Sequence, residues 1–295
     1  MLLAFAGAAA AAPKPAEPND PLWLRQWALR TAGGVRVWQW GHGSPRVVVA
    51  VVDTGVDGSQ PDLRGGVVPG WNALTGDTNT ADDNGHGTLV AGIIGAHGDN
   101  GIGVAGYCWR CSIMPVKVLD AAGHGTGANI AAGITWASTH GASVINLSFT
   151  LDHADPLVET AVEQALARGV LVVAAAGNVH GAVPQYPAAY PGVISVAGVD
   201  PAGALYPWAS FGPWTAVSTA GCSITTRVGR GYQEFCGSSA AAAALSGLLG
   251  LALSDAPASA AQLPALLAHE TALATRRVSV LQFLAAASLA VRRTG

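Results

Sequence analysis

Val47-Val-Val-Ala-Val-Val-Asp53-Thr-Gly-Val-Asp57 is the stretch that decides the fold. From Arg46 to Val52 every residue after the first is apolar and most are β-branched, which suits a strand buried on both faces better than one showing alternate residues to water. Four similar runs follow, at Ile113 to Leu119, Ala142 to Leu147, Val170 to Ala175 and Val193 to Val199. Helical stretches separate or follow them, at Thr88 to Ala96, Thr126 to Thr139, Pro156 to Ala167 and Ser239 to Leu253. Buried strands interleaved with helices predict an α/β fold, a three-layer doubly wound and mostly parallel sheet. Ligands of such sheets bind beyond the carboxyl ends of the strands. Asp53 ends the first run and Asn178 ends Val170-Leu-Val-Val-Ala-Ala-Ala-Gly-Asn178, so both are expected on the functional edge.

The chain has 295 residues, of which 50% are hydrophobic and 11% charged, with a net charge of −3. That supports one large core and excludes a basic nucleic-acid surface. Residues 1–12 are uncharged and apolar and end in alanines, like the hydrophobic region and small-residue cleavage zone of a secretory signal, although the positive segment of such a signal is missing. Residues 13–19 are a proline-rich linker, and 20–295 are expected to form one domain. Ala240 to Leu253 is too short to cross a bilayer, which needs about 18 to 20 apolar residues, so no stable membrane span is expected. In an exported, secreted or periplasmic protein the cysteines read as disulfides. A bridge from Cys222 to Cys236 would staple a hairpin just ahead of Ser239. Cys108 and Cys111 are read as the second pair, with half a zinc site or a redox motif as the alternatives.

Asp53, His86 and Ser239 each lie in a glycine-rich turn beside an apolar run: Val-Asp53-Thr-Gly, Asn-Gly-His86-Gly-Thr and Cys-Gly-Ser-Ser239-Ala. A serine hydroxyl needs an imidazole to take its proton and a carboxylate to hold the imidazole tautomer, and these three residue types supply that set. An isolated Asp-Thr-Gly also occurs in aspartic proteases, but those need a second Asp-Thr-Gly or Asp-Ser-Gly, and none is present. Gly-His-Gly-Thr occurs twice, at Gly85 and at Gly123. His86 follows a polar loop and opens a helix, whereas His124 sits in a glycine-flanked turn, so His86 is the expected base. Ser239 also opens a helix, where free N–H groups favour developing negative charge.

The order Asp, His, Ser is that of subtilisin, and the chain resembles the subtilisin-like serine proteases, or subtilases, from about Asn19 to Leu267. Beyond the aspartate and histidine motifs, Val116-Lys-Val-Leu, Val144-Ile-Asn-Leu-Ser148 and Ala174-Ala-Ala-Gly-Asn178 follow in register. The resemblance implies a serine endopeptidase acting on polypeptides as a monomer, with Asn178 and the Ser239 N–H as the oxyanion hole. Substrate would lie between two edges, Gly123-His124-Gly125 and Ser148-Phe149-Thr150, with Gly177 and Gln185 at the primary pocket. No carboxylate falls at the pocket base, and Thr150 stands where the family usually has glycine, so uncharged residues of small to medium size are expected before the cut. Leu119, Ile130 and Phe149 are candidates for an apolar subsite.

The same resemblance implies a structural calcium ion held by Asp20, Asp62 and Asn100 with the carbonyls of Ile102 and Val104, and a second ion near Asp77 and Asp82 is conceivable on composition. The serine motif departs from the family, with Ser239-Ala-Ala-Ala-Ala243 where methionine and proline are usual. That predicts thinner packing behind the nucleophile and leaves a catalytically impaired peptide-binding relative as the rival reading.

Overall fold

The computed structural model describes residues 17–31, 38 and 41–255. Residues 1–12, most of the linker and residues 256–295 of the expected domain lie outside them. After a short helix α1 (Trp27–Thr31), the deciding run forms β1 (Val48–Asp53), followed by a two-residue strand β2 (Trp71–Asn72) and helix α2 (His86–Gly95). Then come β3 (Ser112–Lys117), α3 (Gly127–Thr139), β4 (Val144–Leu147), α4 (Pro156–Ala167) and β5 (Leu171–Ala175). The chain continues through β6 (Ile194–Val199), β7 (Val217–Ala220), β8 (Cys222–Thr226), β9 (Tyr232–Cys236) and α5 (Ser238–Asp255). Side chains start two of the helices. The Thr126 hydroxyl accepts the Asn129 N–H ahead of α3, and Asp155 caps α4, whose first residue is Pro156.

Seven strands form one sheet in the order β2-β3-β1-β4-β5-β6-β7, and every pairing in it is parallel. β8 and β9 form a separate antiparallel hairpin. Along β1, Val49 and Val51 belong to one apolar cluster with Val90, Ile94, Leu245 and Leu249, while Ala50 and Val52 join another with Ile130, Ile134, Val158 and Val162. Successive side chains of a strand point to opposite faces, so both faces are covered, by α2 and α5 on one side and by α3 and α4 on the other. Three layers result, as the unbroken apolar runs predict.

α5 packs against β4 to β7 and, beside it on the same face, against α2. Ala240 to Ala244 are at most 2% exposed. Small residues allow this close approach: a Cβ on Gly247 would come within 2.8 Å of the Ile94 carbonyl oxygen. The expected thinning behind Ser239 therefore takes the form of a buried alanine face, whose Ala241 carbonyl is tied by the Thr219 hydroxyl at 2.9 Å.

Candidate active site

Asp53 is the last residue of β1 and is fully buried. The chain crosses to β3 through α2, which returns His86 to the same sheet edge. Its Nδ1 lies 2.8 and 2.9 Å from the two carboxylate oxygens of Asp53. The approach depends on Gly87, where a Cβ would sit 2.0 Å from the Gly55 carbonyl oxygen. A polar knot holds the two turns together. The Thr54 hydroxyl accepts the Gly87 N–H at 3.0 Å and donates to Asp82 at 2.8 Å, and Asp82 also takes the Thr88 hydroxyl and the N–H groups of Thr88 and Gly85. That carboxylate is thereby committed to holding the two turns together. Lys117, 5% exposed, is held by the carbonyls of Thr54 and Leu119 and by Asp83. Sequence reading missed these roles of Thr54, Asp82 and Lys117. Lys117 alone carried a signal, as a lone cation inside a strand.

Burial by itself would depress the His86 imidazole, but the charge and hydrogen bond of Asp53, with Asp82 behind, more than offset it and raise its pKa above 6.5. With the proton on Nδ1 facing Asp53, Nε2 is left as an acceptor. The Phe235 ring meets the imidazole edge to face, with centroids 5.3 Å apart.

Ser239, the second residue of α5, is 7% exposed. Its hydroxyl makes no hydrogen bond to His86, the expected base. Ser239 Oγ donates instead to the Ser148 carbonyl at 2.8 Å, because a nearly buried hydroxyl takes the acceptor within reach, here at the end of β4. Rotation about Cα–Cβ redirects it, and such contacts in unliganded sites often close only when substrate is bound. Asn178 follows β5, and its Oδ1 accepts the Ser238 N–H at 2.8 Å. That bond turns the amide nitrogen outward. The amide and the Ser239 nitrogen both lie beside Gly237, whose Cβ position would be 3.3 Å from Asn178 Nδ2, 3.8 Å from its Oδ1 and 3.7 Å from the Ser239 nitrogen.

His86, Ser148, Phe149, Thr150, Asn178 and Ser239 line one cleft with Thr54, Asn84, Leu119 and Gly123, of about 400 Å³. Gly123 is on its wall, while His124 is exposed and closes a tight loop, its N–H on the Asp120 carboxylate and its carbonyl accepting the Asp120 N–H. Gly125 is glycine for packing, since a Cβ there would meet the Val118 carbonyl at 2.6 Å. Gln185 is buried behind Gly177, where a Cβ would touch the Gln185 Cγ at 2.8 Å. Ile130 does not reach the cleft: it is fully buried in the core.

The five residues expected around calcium do gather. Asp20 accepts the Asp99 and Asn100 N–H groups, and Asp62 accepts the Asn100 amide at 2.9 Å and the Val104 N–H at 2.9 Å. Asp20 and Asp62 are 4% and 0% exposed. Burial raises the pKa of both, and for Asp20 the Asp62 charge adds to it. Asp62 also hydrogen-bonds the Tyr232 side chain, but among the described residues no lysine or arginine pairs with either carboxylate, and two buried carboxylates that repel each other suit a hard cation. The Asn100 amide presents its nitrogen to Asp62 and its oxygen to the Ile102 N–H, so it must turn to serve as a ligand. Among the described residues no group of three or more His, Cys, Asp or Glu is placed to hold a metal.

Cys108 is bonded to Cys111, the disulfide reading of that pair, and Cys222 to Cys236 across the β8–β9 hairpin. Among the described residues no helix is long and apolar enough to cross a membrane.

Residues 44–283 match the model of the subtilase family. The chain is 38% identical over 240 residues to thermitase from Thermoactinomyces vulgaris, covering 81% of this chain and 86% of that protein. It is 39% identical over 240 residues to a thermophilic serine proteinase of Bacillus sp. strain AK1, of which it covers 60%. Among solved structures, a protease of Pseudoalteromonas arctica superposes with a TM-score of 0.82 at 27% identity, covering 92% of this chain and 100% of that one. The parallel sheet, the Asp53–His86 pair and these likenesses agree, and the chain belongs to the subtilase family of subtilisin-like serine proteases.

Proposed function

We propose that this serine endopeptidase works through Asp53, His86 and Ser239. Ser239 Oγ swings from the Ser148 carbonyl toward the cleft and attacks the substrate carbonyl carbon as His86 Nε2 takes its proton. Asp53 keeps the Nδ1 proton in place and stabilises the imidazolium. Asn178 Nδ2 and the Ser239 N–H receive the oxyanion of the tetrahedral intermediate. Collapse breaks the C–N bond, the amine leaves with the proton from His86, and water then hydrolyses the acyl-enzyme by the same proton path. The observation that carries the reading is the hydrogen-bonded Asp53–His86 pair opening on the same cleft as Ser239 and Asn178. His86 and Ser239 border one cleft with Asp53 bonded behind the imidazole, which favours catalysis over peptide binding alone.

Substrate is read as an extended strand between the 123–125 and 148–150 edges. None of the cleft-lining residues is acidic, which supports cleavage after uncharged residues. A peptide library tests both points: hydrolysis should need His86 and Ser239 and favour uncharged residues before the cut, whereas cleavage confined to Lys or Arg sites contradicts the preference. The enzyme is read as an exported monomer. Calcium, held by Asp20, Asp62 and Asn100 with the carbonyls of Ile102 and Val104, would neutralise the buried carboxylates and take no part in the chemistry.

A further inference from the structure

Beneath Ser239, three buried side chains join α5 to β4. Asn146 lies in β4, Ser148 just past its end and Ser246 inside α5, and they are 0%, 2% and 0% exposed. Ser246 Oγ donates to Asn146 Oδ1 at 3.0 Å, and Asn146 Nδ2 donates to Ser148 Oγ at 2.8 Å. Ser148 Oγ then donates to the backbone carbonyl of Ser239 at 3.2 Å, while the Ser148 carbonyl receives the Ser239 hydroxyl. Both ends of the nucleophile residue are thus referred to Ser148.

Each hydroxyl has a single proton to place. Ser246 Oγ also lies 2.9 Å from the Ala242 carbonyl, but that oxygen is positioned to take the helical N–H four residues on. Asn146 Oδ1 has no other hydrogen-bond partner among the described residues, and leaving a buried acceptor unpaired is costly. The Ser246 proton therefore belongs on Asn146. This fixes the amide so that its nitrogen faces Ser148 and frees the Ser148 proton for Ser239.

Ala240 to Leu245 contribute no polar side chain, so Ser246 is the first residue of α5 after Ser239 that can anchor the helix to the sheet by a side-chain hydrogen bond. Seven residues is close to two turns, which puts it on the face of the helix that carries Ser239.

We propose that Ser246 is a positioning residue for catalysis: through Asn146 and Ser148 it holds the start of α5, and with it Ser239, against the end of β4. In this chain it does by hydrogen bonding what the alanine run cannot do by side-chain bulk. The proposal rests on Ser239 being the nucleophile.

The test is steady-state hydrolysis of a chromogenic peptide by wild type, Ser246→Ala, Ser148→Ala and the double variant, with thermal melts run alongside. Ser246→Ala should lower kcat about tenfold and leave KM unchanged. Ser148→Ala cuts the same chain one link later, so the double variant should lose no more than Ser148→Ala does. Should either alanine variant fail to fold, Ser246→Cys keeps the size and only a weak donor, and an intermediate kcat is expected. A lowered melting temperature with wild-type kcat would mark an ordinary structural hydrogen bond and overturn the proposal, as would losses that multiply in the double variant. A folded wild type that cleaves nothing would overturn the protease reading together with it; an active wild type makes the comparison a judgement on Ser246 alone.

Discussion

Replacing Asn178 by alanine removes a side-chain donor beside the nucleophile, together with the acceptor of the Ser238 N–H. Asn178 Oδ1 accepts that N–H at 2.8 Å, and the side chain lines the same cleft as Ser239, where the proposed mechanism uses Nδ2 and the Ser239 N–H as the two oxyanion donors. Charge appears there only when the tetrahedral intermediate forms. Losing one of two such donors costs about 2.7 to 4 kcal/mol of barrier, and each 1.36 kcal/mol is tenfold in rate. Asn178→Ala should therefore lower kcat by about 10² to 10³ with little change in KM. Ser238 is 1% exposed, so the N–H left behind should cost about 1 to 3 kcal/mol of stability. The assay is initial-rate hydrolysis of a chromogenic peptide with an uncharged residue before the cut, with sites counted by a fluorophosphonate. A kcat within threefold of wild type, or a loss carried wholly by KM, would refute the reasoning.

Three further outcomes follow from the same geometry. His86 must be neutral to accept a proton, and its pKa is raised above 6.5 because Asp53 outweighs burial. The acid limb of kcat/KM should thus have its midpoint above 6.5, activity rising with pH through it, and a midpoint well below 6.5 would count against the pair. Chelating calcium from protein held at about a hundredfold above its dissociation constant should remove about 2.7 kcal/mol and lower Tm by about 5 to 11 °C. Asp62→Asn should abolish that response, and a chelation-insensitive Tm would discount the ion. Removing the bridge by Cys222→Ala with Cys236→Ala opens a loop of sequence separation 14. Calorimetry should show a loss of about 3 kcal/mol, or about 6 to 12 °C in Tm.

Strands buried on both faces announce themselves as unbroken β-branched runs, so β1, β3, β4, β5 and β6 were readable to within about two residues, as were α2 to α5. β7 was not, because Val217-Ser-Thr-Ala220 is as polar as a loop and is a strand only because β6 offers it an edge. β2, two residues long, has no period to detect. In the site, Asp53 two residues before Gly55 and His86 between Gly85 and Gly87 were legible, since close backbone approach demands glycine at Gly87. The direction of the Ser239 hydroxyl was not, because it depends on which acceptor the end of β4 brings within reach. Asp82 looked like an ion ligand by composition and is a hydrogen-bond hub by position. Ser246 looked like one more small residue in an alanine helix. Its partners Asn146 and Ser148 lie about a hundred residues earlier, and nothing local in the sequence links them.

The central claim is that Ser239 is the nucleophile, driven by His86. Fluorophosphonate labelling followed by peptide mass mapping tests it most directly. A single adduct on the peptide containing Ser239 is predicted, forming slowly in His86→Ala and absent in Ser239→Ala. An adduct that persists in Ser239→Ala, or active wild-type enzyme that takes up no label at Ser239, would contradict it.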